Sequence, residues 1–164
     1  MEDSGCGYVI DSSGWISIDG RPDQNRILFF LSKLIEDDRI KSPPEVWDEL
    51  KKCEWVLAWL RGQRRLIVEN RSQNYTYLSI VGSVTYRFPA LAGARGTKNK
   101  ADPYVVALAI HMNATDNERQ WRVVASETLA KRPGRKIPTA CQSFNVECDG
   151  LYDMLRREFP DEKW

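Results

Sequence analysis

Three consecutive apolar residues, Tyr8-Val9-Ile10, stand between Gly7 and the polar run Asp11-Ser12-Ser13-Gly14. A run this short, apolar at each position and closed by turn formers, reads as a strand buried on both faces. Similar runs recur at Ile40, at Trp121-Arg122-Val123-Val124-Ala125 and at Val146-Glu147-Cys148. Between them lie longer stretches with apolar residues at helical spacing. Short apolar strands alternating with amphipathic helices imply a parallel sheet covered by helices on both faces. The expected fold class is therefore α/β, a three-layer α/β/α sandwich, in one domain spanning 1–164 with its core at about 8–159.

The expected helices follow from periodicity and punctuation. Ile27, Phe30, Leu31, Leu34 and Ile35 define one that starts at Pro22 or Asp23 and ends at Asp37-Asp38-Arg39. Ser42-Pro43-Pro44-Glu45 has the form of a helix start, with Ser42 as cap, and Val46, Leu50 and Cys53 would share one face. A helix from about Trp55 to Arg61 would turn Val56, Trp59 and Leu60 inward, and Leu66-Ile67-Val68 is a further apolar run. Asn70 to Phe88 mixes β-branched residues with a helical recurrence of Tyr77, Val81, Val84 and Phe88; helix is favoured, ended by Pro89. Asp102-Pro103 opens a helix carrying Val105, Val106, Leu108, Ala109 and Met112. Ile137-Pro138 begins a short helix ending near Phe144, and a last helix covers Leu151 to Phe159.

Composition narrows the chemistry. A dense apolar run such as Ile27 to Leu31 falls far short of the roughly 20 residues a membrane span needs. The first residues, Met1-Glu2-Asp3-Ser4-Gly5, have no secretory pattern, so the expected location is cytoplasmic and no membrane partner is expected. Cys6, Cys53, Cys141 and Cys148 form no Cys-x-x-Cys pair and read as reduced, packed thiols, and nothing in their spacing requires Cys141 to meet Cys148. With one histidine, His111, a thiolate–imidazole zinc site is disfavoured; a catalytic metal would be held by oxygen, as Mg²⁺ or Mn²⁺ is. Net charge is +1, so nucleic-acid contact would come from local clusters such as Arg95, Lys98 and Lys100, or Lys131, Arg132, Arg135 and Lys136. Either cluster reads equally as a solvated loop.

Ligands in parallel α/β sheets bind at the carboxyl ends of strands. Asp11 and Glu127 follow strands there, Asp102 heads a helix, and Glu49 lies in the helix from Pro44. Each has an ordinary structural reading: Asp102 as a cap before Pro103, Asp11 as an acceptor in the Ser12-Ser13 turn, Glu49 and Glu127 as surface charges. Asp11 fits that reading least well, because an acid directly after a buried strand is costly unless solvent or a cation meets it.

The order of motifs resembles that of PIN-domain nucleases along nearly the whole chain, from about Tyr8 to Leu155. Tyr8-Val9-Ile10-Asp11-Ser12-Ser13 resembles the family's opening strand and aspartate. Ser42-Pro43-Pro44-Glu45-Val46-Trp47-Asp48-Glu49-Leu50 is similar to its second motif, and Lys100-Ala101-Asp102-Pro103-Tyr104-Val105-Val106-Ala107-Leu108-Ala109 to its third. Val123-Val124-Ala125-Ser126-Glu127 occupies the fourth position, with Ala125 where threonine is frequent. The tail around Ile137-Pro138, Cys141 and Leu151-Tyr152-Asp153-Met154-Leu155 looks like a bacterial and archaeal, toxin-like branch.

The resemblance implies a Mg²⁺- or Mn²⁺-dependent endoribonuclease, in many relatives the toxin of a toxin–antitoxin pair. Asp11, Glu49, Asp102 and Glu127 would be the metal-holding and catalytic acids, Asp11 and Asp102 the principal pair. Ser12 would orient Asp11, and Lys98 or Lys100 would contact phosphate. RNA, an antitoxin protein and a second copy of the chain are the implied partners. A haloacid-dehalogenase-like phosphatase would need an acid where Ser13 stands, and a receiver domain an acidic pair and a lysine that have no place here. A catalytically inactive PIN-like RNA-binding or scaffold module is the remaining rival.

Overall fold

A computed structural model of the chain describes residues 5–51, 53–93, 100–126 and 137–164. Strand β1 (Gly7–Ile10) is followed by a short helix α1 (Ser12–Ile16), helix α2 (Gln24–Glu36) and strand β2 (Ile40–Lys41). Helices α3 (Pro44–Glu49), α4 (Glu54–Ile67) and α5 (Tyr75–Arg87) come next, then a 3-10 turn at Pro89–Ala92. Helix α6 (Asp102–Thr115), strand β3 (Trp121–Val124), helix α7 (Ile137–Ser143), strand β4 (Cys148–Asp149) and helix α8 (Leu151–Glu158) complete the order.

The four strands form one parallel sheet in the order β2-β1-β3-β4, and the fold is a three-layer α/β/α sandwich. Tyr8, Val9 and Ile10 are fully buried, as a strand covered on both faces requires. Helix α6 is apolar around most of its circumference and buries Val105, Val106, Leu108, Ala109 and Met112. Such a helix belongs inside the molecule, not on its rim. No helix among the described residues is long and apolar enough to cross a membrane.

Chain direction makes the crevice. From β1 the chain moves to β2 on one side, and β3 and β4 extend the sheet on the other. The order therefore reverses between β1 and β3, and the carboxyl ends of those two strands border the position where open α/β sheets bind ligands. Asp11 is the residue after β1. Its backbone N–H donates to the carbonyl of Val124, the last residue of β3 (2.9 Å). Gly14 lets α1 close over this point: a Cβ there would lie 2.9 Å from Ile10 Cγ2 and 3.3 Å from the Val124 carbonyl.

Several local expectations need correction. Ser42 does not cap α3, whose N-cap is Pro43. Its hydroxyl donates to the Ile10 carbonyl (2.6 Å) and accepts from the Trp15 indole N–H (3.1 Å), tying β2 to β1 just below Asp11. Asp102 is not a cap either; Ala101 holds that position and Asp102 is the first residue of α6. The helix expected to end at Arg61 runs on to Ile67, taking in most of the Leu66-Ile67-Val68 run; Val68 bridges Ser42 in parallel. Cys53 is the N-cap of α4 and lies outside α3, so it shares no helix face with Val46. The last strand starts two residues later than expected and ends one later, at Cys148–Asp149. Proline at a helix start and capping patterns locate the helices well, but they do not say which polar side chain tertiary contacts will divert.

Candidate active site at the switch point

Asp11 is 2% exposed. It caps α1: Oδ2 accepts from the Ser13 backbone N–H (3.2 Å) and from the Ser13 hydroxyl (2.7 Å). The acceptor role expected of Asp11 in the Ser12-Ser13 turn is therefore real, and it holds the carboxylate in one orientation. Burial pushes its pKa up to about 6; the Ser13 hydrogen bonds pull the other way, and the nearby Glu49 charge adds to the rise. No arginine or lysine among the described residues hydrogen-bonds it.

Glu49, the last residue of α3, meets Asp11 through Ser12. The Ser12 hydroxyl donates to Glu49 Oε2 (2.5 Å) and stands 3.4 Å from Asp11 Oδ1. The other Glu49 oxygen, Oε1, accepts from the Ala101 backbone N–H (2.8 Å) at the head of α6. One carboxylate thus connects the end of β1 to the start of α6, bringing together segments far apart in sequence. Of the expected acids, the fold links Asp11 to Glu49 through the Ser12 hydroxyl. Asp102 stands one residue beyond Ala101, in the first turn of α6.

Three further groups were not singled out by sequence reasoning. Ser13 holds Asp11 and also accepts from the Ser126 backbone N–H after β3 (3.1 Å), so it closes the crevice from the far side. Its signal was present: a second hydroxyl in the Asp-Ser-Ser turn. Glu45 lies one turn before Glu49 on α3, the same helix face. Its Oε2 is buried with no hydrogen-bond partner among the described residues, and burial raises its pKa. Cys141, on α7, is fully buried behind Asp11. A hydrogen bond with Cys148, burial and the charges of Cys148 and Asp11 all raise its pKa. All four thiols are free.

Lys100 is exposed, immediately before Ala101. Glu127, Lys98 and the clusters at Arg95 and at Lys131, Arg132, Arg135 and Lys136 lie outside the described residues. His111 is buried on α6, where the Arg71 guanidinium meets its Nδ1 (2.7 Å); burial and that positive charge lower its pKa, and it packs in the core.

The described residues contain no group of three or more His, Cys, Asp or Glu side chains able to hold a metal ion. What they offer is an all-oxygen pair, Asp11 and Glu49, spanned by one hydroxyl. That donor set fits Mg²⁺ or Mn²⁺, since Mg²⁺ commonly keeps several waters and takes only one or two carboxylates plus substrate phosphate. It does not fit zinc in a structural cage.

A family model described as a domain of unknown function (DUF4411) matches residues 8–160. No curated protein matches the chain.

Proposed function

The chain belongs to the DUF4411 family, and we propose that it is a PIN-like endoribonuclease that uses Mg²⁺ or Mn²⁺ to hydrolyse RNA phosphodiester bonds. One observation carries the reading: a buried, uncompensated Asp11 at the switch point shares a serine hydroxyl with Glu49, whose other oxygen is fixed at the head of α6 beside Asp102. A desolvated Asp11 carboxylate facing the Glu49 charge resists ionisation unless a cation joins it.

In this proposal Asp11 and Glu49 hold the cation, Asp102 and Glu127 complete the acidic set partly through water, and Ser12 keeps the first two acids in register. When bound, the cation supplies an activated water and stabilises charge on the phosphorane and leaving oxygen. Ser13 fixes the Asp11 orientation, so that little reorganisation is needed when substrate arrives. Lys98 and Lys100 are the proposed phosphate contacts. A cytoplasmic location, an antitoxin protein and a homodimer belong to the same proposal.

The rival reading, a catalytically inactive PIN-like RNA-binding or scaffold module, is favoured by the lack of a three-acid metal group among the described residues. Purified protein incubated with labelled RNA, in Mn²⁺ and then in EDTA, separates the two. The nuclease reading expects cleavage in Mn²⁺ that EDTA stops. Intact RNA in both, with bound RNA retained, supports the module instead.

A further inference from the structure

Helix α4 carries a basic and aromatic stripe along its exposed side. Its exposed residues Trp55, Ala58, Arg61, Gly62, Arg65 and Leu66 recur at helical spacing along one side. Trp55 is 66% exposed and Leu66 47%. Several arginines elsewhere are paired with carboxylates: Arg39 with Glu158, Arg122 and Arg157 with Asp149. Arg61 and Arg65 have no carboxylate within ion-pair distance among the described residues, and Arg64 beside them lies over the Trp47 ring, 5.1 Å from its centre. Glu54 is on this side too, but in the first turn, where a carboxylate suits the helix N-terminus.

We infer that this stripe is a track for the sugar-phosphate backbone of single-stranded RNA leading to the acidic site; the inference rests on the nuclease reading for its direction but not for its binding chemistry. Two arginines four residues apart rise about 6 Å along a helix. They present guanidinium forks suited to successive phosphates, and small Ala58 and Gly62 leave room between them. Trp55 supplies an exposed ring on which a base stacks, an arrangement tolerant of sequence. The stripe is joined to the site. The Val56 backbone N–H donates to Asp19 beyond α1 (3.0 Å). Trp59 packs on Trp15 of α1 (6.4 Å between ring centres), the helix that Asp11 caps. These contacts tie α4 to α1, and at the arginine end the Ile67 carbonyl accepts from the Ser42 backbone N–H (2.9 Å), next to the end of β1.

The test uses Asp11→Asn full-length protein in EDTA, so that binding is read without cleavage, with fluorescein-labelled oligouridylate followed by anisotropy over a salt series. Joint Arg61→Glu and Arg65→Glu replacement should weaken binding at least tenfold and flatten the logarithmic salt slope by about 1.4, roughly 0.7 per lost single-strand phosphate contact. Trp55→Ala should weaken binding several-fold and leave the slope unchanged. Circular dichroism of these surface variants should match the parent, and Arg61→Gln with Arg65→Gln gives an intermediate loss if charge reversal disturbs the fold. Unchanged affinity and slope in the folded arginine variants would overturn the track, as would polyglutamate competing as well as oligouridylate, which points to an acidic protein partner. Absence of any RNA binding by Asp11→Asn also overturns it, even if the wild type cleaves RNA in Mn²⁺. Binding with the expected losses, but no cleavage by wild type, supports the track and sinks only the nuclease reading.

Discussion

Asp11 and Asp149 are both aspartates at the carboxyl ends of parallel strands in one sheet, and they are treated in opposite ways. Asp149 receives Arg122 Nε at 2.7 Å and Arg157 Nη1 at 2.5 Å. Hydrogen bonds from those guanidiniums hold its pKa below the ordinary carboxylate value despite burial. Asp11 is given only serine donors and a neighbouring carboxylate, and its pKa rises to about 6. Arginine forks from β3 and α8 make Asp149 part of the scaffold. The crevice leaves Asp11 short of positive charge, which is what a site for an exogenous cation requires.

Replacing the two acids separates these roles most sharply. Asp11→Asn should lower Mn²⁺-dependent RNA cleavage by about a thousandfold or more, while the thermal melt stays at or above that of the wild type. A well-folded variant with full activity would erase the distinction drawn here. Next in size is the pH dependence of stability without metal. The Asp11 pKa is raised in the folded protein, so the native state binds the extra proton. Its stabilising share is complete below the unfolded carboxyl pKa and is lost as pH rises to about 6; the ionised group costs about 3 kcal/mol above that. Melts of wild type and Asp11→Asn from pH 4 to 7.5 should diverge in that direction, and parallel curves would refute it.

Asp149 runs the other way, since its depressed pKa contributes stability that disappears only as pH falls through it. Asp149→Asn leaves two arginines facing a neutral amide and should cost about 2 kcal/mol by urea denaturation, with any loss of activity following from unfolding alone. A smaller effect is expected at the serine bridge. Ser12→Ala releases Glu49 Oε2 and should reduce cleavage about tenfold, the size typical of groups that orient metal ligands; kinetics at saturating Mn²⁺ measure it, and no change would show that Glu49 is placed by Ala101 alone.

Much of this architecture is legible in the sequence because it follows from local rules. Tyr8-Val9-Ile10 before an acid, and Asp102-Pro103 before an apolar helix, are short-range patterns that tertiary contacts had no reason to override. Ser42 was misread because a hydroxyl before two prolines looks like a cap, while only the register of β2 on β1 brings it to the Ile10 carbonyl. The tie from Glu49 to Ala101 was equally out of reach, spanning 52 residues. Asp149 gave no sign of its importance, since its partners Arg122 and Arg157 come from different elements. Arg61 and Arg65, with no ion pair among the described residues, stand out only once Arg39, Arg122 and Arg157 have been seen to be paired.

The central claim, that Asp11 and Glu49 form a pair completed by a divalent cation, is tested most directly by calorimetric titration of Mn²⁺ into wild type and Asp11→Asn at neutral pH. Saturable binding by the wild type that Asp11→Asn lacks is the expected result. No heat with the wild type, or equal binding by both, would contradict the account.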